Sequence, residues 1–95
     1  MEVREFQDLM RKLYYERDLS RGREKTLLWL LEEVGELSEG IRKGDDNAIE
    51  EEIADVIAWT VSLANLYGID VEGVISEKYP DRCRYCNQMP CACDK

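Results

Sequence analysis

Apolar residues recur along this chain at helical spacing, and no stretch sustains the alternation expected of a strand. Phe6, Leu9, Met10, Leu13 and Tyr14 form one stripe and predict a first helix over about Val3–Arg17. A polar break, Asp18–Arg23 with Gly22 inside it, separates this from the next run. Leu27, Leu30, Leu31, Val34, Leu37 and Ile41 predict a second helix over about Lys25–Lys43. Gly44 suits its left-handed end, Asp45, Asp46 and Asn47 are N-cap candidates for the third, and Asn47 with Glu50 resembles a capping box. That helix is expected over about Ala48–Tyr67, with Ile49, Ile53, Val56, Ile57, Thr60 and Ala64 as its buried stripe. Gly68 ends it, and Asp70 can cap a short fourth helix over Val71–Lys78. Pro80 forbids continuation.

The expected fold is therefore all-α: a small bundle of three long or medium helices plus a short fourth. Residues 1–79 form the helical domain and 80–95 a cysteine-bearing tail. The short link between the second and third helices makes them antiparallel neighbours. Leu, Ile, Val and Phe number only 23 of 95 residues, a thin core. A homo-oligomer that merges these helices into a larger bundle is expected, against the alternative of a lone three-helix bundle.

Composition narrows the chemistry. There are 21 Asp and Glu against 13 Lys and Arg, a net charge of −8, and no histidine. Such a surface repels nucleic-acid backbones and anionic membranes, so neither is an expected partner. Without imidazole, catalysis must come from carboxylates, lysines, tyrosines, cysteines or a bound metal. No segment is long and apolar enough to span a membrane, and the Met-Glu-Val-Arg-Glu start is no signal peptide. A soluble cytoplasmic protein is the expectation.

The acids are patterned. The second helix carries Trp29, Glu33 and Glu36, and the third carries Glu52, Asp55 and Trp59. W-x3-E-x2-E is thus mirrored by E-x2-D-x3-W across the turn. At about 100° per residue, all four carboxylates fall at the margin of the apolar stripes, whereas Glu32, Glu39 and Glu51 point more squarely to solvent. Four converging carboxylates repel one another unless a cation sits among them. All-oxygen ligation favours Mg²⁺, with Mn²⁺ as the near equivalent, over iron or zinc. The competing reading is a solvated acidic face paired with Arg42, Lys43, Lys12 or Arg17.

Glu32-Glu33-Val34-Gly35-Glu36 followed by Glu52-Ile53-Ala54-Asp55 resembles the EExxE…ExxD signature of the MazG-like nucleotide pyrophosphohydrolases. The likeness extends over about Phe6 to Tyr85, including Glu16-Arg17-Asp18, the run Leu27–Leu37 and Val74-Ile75-Ser76. It implies an all-α dimer or dimer of dimers that hydrolyses a nucleoside triphosphate to the monophosphate and pyrophosphate with Mg²⁺. By the same resemblance Glu33, Glu36, Glu52 and Asp55 are the metal ligands, and Glu32 is the leading acid of the motif. Where family members often carry a Lys after the fourth helix begins, this chain has Glu77, with Lys78 adjacent as a possible substitute.

The implied chemistry is attack of water, activated by the metal, at the α-phosphorus, with Glu32 or Glu36 accepting its proton. Nucleotide-pool cleaning is a fitting role. Arg21, Arg23 and Lys25 can hold the far phosphates, and Trp29 and Trp59 can stack on a base or serve as core residues, with Phe6, Tyr14 and Tyr15 of the first helix as further candidates to wall the pocket or pack in the core. A rival of a different class is a non-catalytic helical module whose acidic face binds a basic partner. Finally, Cys83, Cys86, Cys91 and Cys93 can close around one structural Zn²⁺ or form two disulfides.

Overall fold

A computed structural model describes residues 1–94. Four helices follow in order: α1 (Val3–Arg21), α2 (Arg23–Lys43), α3 (Asp46–Leu66) and α4 (Val71–Lys78). No strand occurs among the described residues. The expected all-α class and the fourth helix stand as read, but the first junction does not. The polar stretch Asp18–Arg21 completes α1 instead of breaking it, because Arg21 pairs with Asp18 one turn back at 2.8 Å. Only Gly22 separates α1 from α2.

Gly22 adopts φ 92°, ψ 164°, a region essentially closed to other residues. Its N–H donates to Asp18 O, and its carbonyl accepts from the N–H and the hydroxyl of fully buried Thr26. The turn is thus fixed on both sides. Gly22→Ala should destabilise the fold by about 1–3 kcal/mol through backbone strain alone, since a Cβ there meets nothing within 4 Å. Gly44, at φ 68°, ψ 31°, is in the ordinary left-handed region, so Gly44→Asn should be mild. Thermal melts of both variants test the contrast; equal losses would contradict it.

The third helix also starts differently from the reading. It begins at Asp46, and of the three N-cap candidates Asp45 takes the role, accepting the Ala48 N–H at 3.2 Å. Asp70 stands at the N-cap of α4, but its carboxylate makes no cap bond and is taken by Arg4. Arg4 holds Asp70 at 2.8 Å and Glu72 at 2.9 Å, tying the start of α1 to the start of α4. The guanidinium pulls the Asp70 carboxyl below its ordinary range, and that carboxylate raises Arg4 in turn.

α3 is the centre of the fold, with α2 along one side and α1 along another. Gly40 lets the helices of the α2–α3 hairpin approach closely: a Cβ there would sit 3.4 Å from that of Ala48. The α1–α3 contact is polar at its heart. Buried Gln7 donates to Asn65 Oδ1 at 2.9 Å and to the Ile69 carbonyl at 2.7 Å, while its own oxygen accepts the Val71 N–H. Arg23 reaches across to the Leu66 carbonyl and lies over Tyr67, closing the C-terminal end of α3.

The buried faces overturn the expected stripes. Among the described residues the only buried hydrophobic side chains are Met10, Val61 and Leu66. Within the α2 stripe Leu31 is 55% and Ile41 60% exposed, and within the α3 stripe Ile57 is 51% exposed. On α2 the buried or half-buried positions are Thr26, Leu30, Glu33, Leu37 and Gly40, a face turned by about 60° from the apolar stripe's centre. The helix presents its acidic edge to α3 and leaves Leu27, Leu31, Val34 and Ile41 facing outward. The shape is correspondingly open: the radius of gyration is 15.6 Å, against about 12 Å for a compact chain of this length. No described helix is long and apolar enough to cross a membrane.

Candidate functional site

Because α2 is turned in this way, Glu33 lies in the α2–α3 seam and meets Glu52 there. Carboxylate oxygens of Glu33, Glu36 and Glu52 all lie within 4.8 Å of one another. Glu33 and Glu52 are half-buried, and each keeps one fully enclosed oxygen, Oε2, with no hydrogen-bond partner. Enclosed carboxylate oxygens left unpaired are costly, and two side by side call for a positive ligand.

The electrostatics agree. Glu36 is pushed above its ordinary carboxyl range, first by the charge of Glu52 and the hydrogen bond shared with it. Glu52 is pushed up first by the proton it would share with the neighbouring Glu33 carboxylate, then by burial and by the Glu33 charge. Among the described residues no Lys or Arg forms an ion pair with any acid of the cluster. By contrast Glu39, which points outward, is held low by Arg42 and Lys43. The donor set is all-oxygen and anionic, which fits a hard divalent cation such as Mg²⁺.

Asp55 stands apart from this trio. It adds to the field that raises Glu36 and Glu52, yet its position on α3, about 60° further round from Glu52, takes it towards α1. There it lines a cavity of about 280 Å³ between α1 and α3. Met10, Tyr14, Arg17, Asp18 and Arg21 of α1 and Trp59 and Ser62 of α3 complete most of its wall. Asp18 is buried; one oxygen takes Arg21 and the other, Oδ2, has no partner. The cavity is therefore apolar with convergent polar groups and adjoins the acids through Asp55.

Trp29 and Trp59 come together as the mirrored motif requires, their rings stacked 6.1 Å apart at 13°. The Arg21 guanidinium lies 4.9 Å from the centre of the Trp59 ring. Glu32 is exposed next to the cluster and contributes to the field at Glu36. Lys25 and Lys78 are both exposed, and neither lines this cavity. Met10, Asp18 and Ser62 are among the residues missed as cavity walls. For the first two a signal existed: Met10, Tyr14, Arg17, Asp18 and Arg21 share one helical face once the first helix runs through the charged stretch.

In the tail, the four cysteine sulfurs also lie within 4.8 Å of one another, and all four thiols are free. Backbone N–H groups point at them: Tyr85 donates to Cys83 Sγ, Ala92 to Cys86 Sγ, and Cys93 to Cys91 Sγ. The Ala92 amide, and then that of Gln88, lower the Cys86 thiol to about 6. Hydrogen bonding to Cys91, and then to Cys86 and Cys83, pushes Cys93 up to about 12.

A comparison with curated proteins found no match to the chain. A family model described as the MazG nucleotide pyrophosphohydrolase domain matches residues 21–87. This span holds α2, α3 and α4, and so both acidic motifs, and it leaves out nearly all of α1, which supplies half the cavity wall. The match covers well over half of the chain, on the helices that bring the carboxylates together, and the chain belongs to the MazG nucleotide pyrophosphohydrolase family.

Proposed function

We propose that this protein is a Mg²⁺-dependent nucleoside triphosphate pyrophosphohydrolase, releasing the monophosphate and pyrophosphate. The observation that carries this reading is the pair of enclosed, unpartnered oxygens on Glu33 and Glu52, set beside Glu36 and near a cavity lined by Tyr14, Trp59, Arg17 and Arg21. Family membership supplies the reaction class. A docking face for a basic partner would leave its acids solvated and would need neither feature.

In this reading Glu33, Glu36, Glu52 and Asp55 hold the cation, with Mn²⁺ able to replace Mg²⁺. Bound there, the cation neutralises phosphate charge and makes the attacking water more acidic. Glu36, or Glu32 behind it, accepts the proton of that water as its oxygen joins the α-phosphorus. The bond from the α-phosphorus to the bridging oxygen breaks, and pyrophosphate departs with the electron pair. Trp59 and Tyr14 wall the cavity for the base, with Trp29 backing Trp59. Arg17 and Arg21 are the cations that line the cavity, while Lys25 and Lys78 lie outside its wall.

The outward apolar stripes of α2 and α3 support a homodimer or dimer of dimers, in which a second copy covers Leu31, Ile41 and Ile57. Turnover of a triphosphate panel with Mg²⁺ in ¹⁸O-water tests the reaction. Monophosphate carrying the label and unlabelled pyrophosphate are expected. Diphosphate with orthophosphate would show that a different bond is cut and would overturn the assignment.

A further inference from the structure

Residues 81–94 contain no helix or strand, and only Cys83 and Cys86 among them are other than exposed. A segment of this size without an apolar core does not hold one conformation unaided. Among the described residues, its hydrogen bonds stay within the tail: Cys83 N–H to Gln88 O, Asn87 N–H to Cys83 O, the Asp81–Arg82 pair, and three amides that donate to sulfur. What organises the tail is the sulfur cluster.

The spacing of that cluster is specific. Cys83 and Cys93 sulfurs are 3.8 Å apart, and Cys86 and Cys91 sulfurs 3.9 Å. A disulfide requires about 2.05 Å. Four thiolates at about 2.3 Å from a central Zn²⁺ stand about 3.8 Å from one another, the edge of a regular tetrahedron. Both separations match that edge. The N–H groups aimed at Cys83, Cys86 and Cys91 are the outer hydrogen bonds that stabilise sulfur when it carries ligand charge. From the cluster, Arg84 lies over Tyr79 at the end of α4 and over Tyr85, the link between tail and bundle.

We propose that Cys83, Cys86, Cys91 and Cys93 form a tetrathiolate Zn²⁺ site that folds the C-terminal tail. All four positions are filled by protein, so the site is closed and structural, with no open position for water chemistry. Zinc loading releases the thiol protons and couples metal binding to the folding of this segment alone. The site is chemically separate from the carboxylate cluster, which takes a hard cation through oxygen.

The test is metal analysis of the full chain purified under reducing conditions, alongside Cys86→Ser/Cys91→Ser and Glu52→Gln. One zinc per chain is expected in the wild type and in Glu52→Gln, and none in the double serine variant. Helical circular dichroism should be unchanged in that variant, because no hydrogen bond joins residues 81–94 to the helices. Replacing zinc by Co²⁺ should give the visible bands of a tetrahedral tetrathiolate, and this readout on the wild type stands even if the variant folds poorly. Stoichiometric iron, two disulfides by mass spectrometry, or four thiols freely titratable in protein without zinc would overturn the proposal. Zinc lost in Glu52→Gln and kept in the serine variant would place the ion in the carboxylates instead.

Discussion

Glu52→Gln is expected to lower turnover by about 10²-fold or more while making the metal-free protein more heat-stable. The two effects have one cause. Glu52 is the seam residue whose carboxylate lies within 4.8 Å of those of Glu33 and Glu36, and both Glu36 and Glu52 are raised above the ordinary carboxyl value of 4.5. A carboxyl raised on folding contributes stability that is present below its unfolded value and is lost as pH rises through its folded value. The metal-free wild type should therefore lose stability as pH rises from about 4 towards neutrality, and Mg²⁺ should return it. Glutamine removes the charge that drives the shift, so the variant's melting temperature should vary less over that range and respond less to Mg²⁺. Melting curves against pH with and without Mg²⁺, beside kcat, check both halves. Undiminished turnover would remove Glu52 from the site, and an unchanged pH slope would remove the repulsion argument.

The helices were legible in the sequence because their ends carry local chemistry. Gly44, Gly68 and Pro80 act within one turn of chain and need no tertiary context. The junction near Gly22 was misread for the complementary reason. A run of charges looks like a break until Asp18 is seen to be buried and held by Arg21. The carboxylate pairing of Glu33, Glu36 and Glu52 was legible because a two-residue turn, Gly44-Asp45, leaves the hairpin little freedom of register. Asp55 was placed on the correct helix, but its turn towards α1 depends on where α1 packs. That placement is set by Gln7–Asn65 and Arg4–Asp70, contacts nearly 60 residues or more apart in sequence, with no periodic signature. For the same reason, of the α1 aromatics expected to wall the pocket, Tyr14 lines the cavity whereas Phe6 and Tyr15 do not.

The proposed assembly with a second copy of the chain is tested by the pair Leu31→Asp with Ile57→Asp. Periodicity identifies apolar stripes without saying what covers them, and here one chain leaves Leu27, Leu31, Val34, Ile41, Ile53 and Ile57 uncovered. Each such side chain is already about half covered, so completing its burial gains roughly half of the about 1.5–3 kcal/mol of full burial, and the six together are comparable to the stability of so small a domain alone. The wild type should run at two or four times its 11.1 kDa chain mass in light scattering, with a melting temperature that rises with concentration. The double variant should be monomeric and melt lower, independently of concentration. Its activity should also fall, because Val34 lies between Glu33 and Glu36 and Ile53 between Glu52 and Asp55, so the face that a second copy would cover borders the carboxylates. Neither substitution touches an acid, so loss of turnover together with loss of assembly would tie the two. A monomeric wild type with full activity would show that the open bundle functions alone.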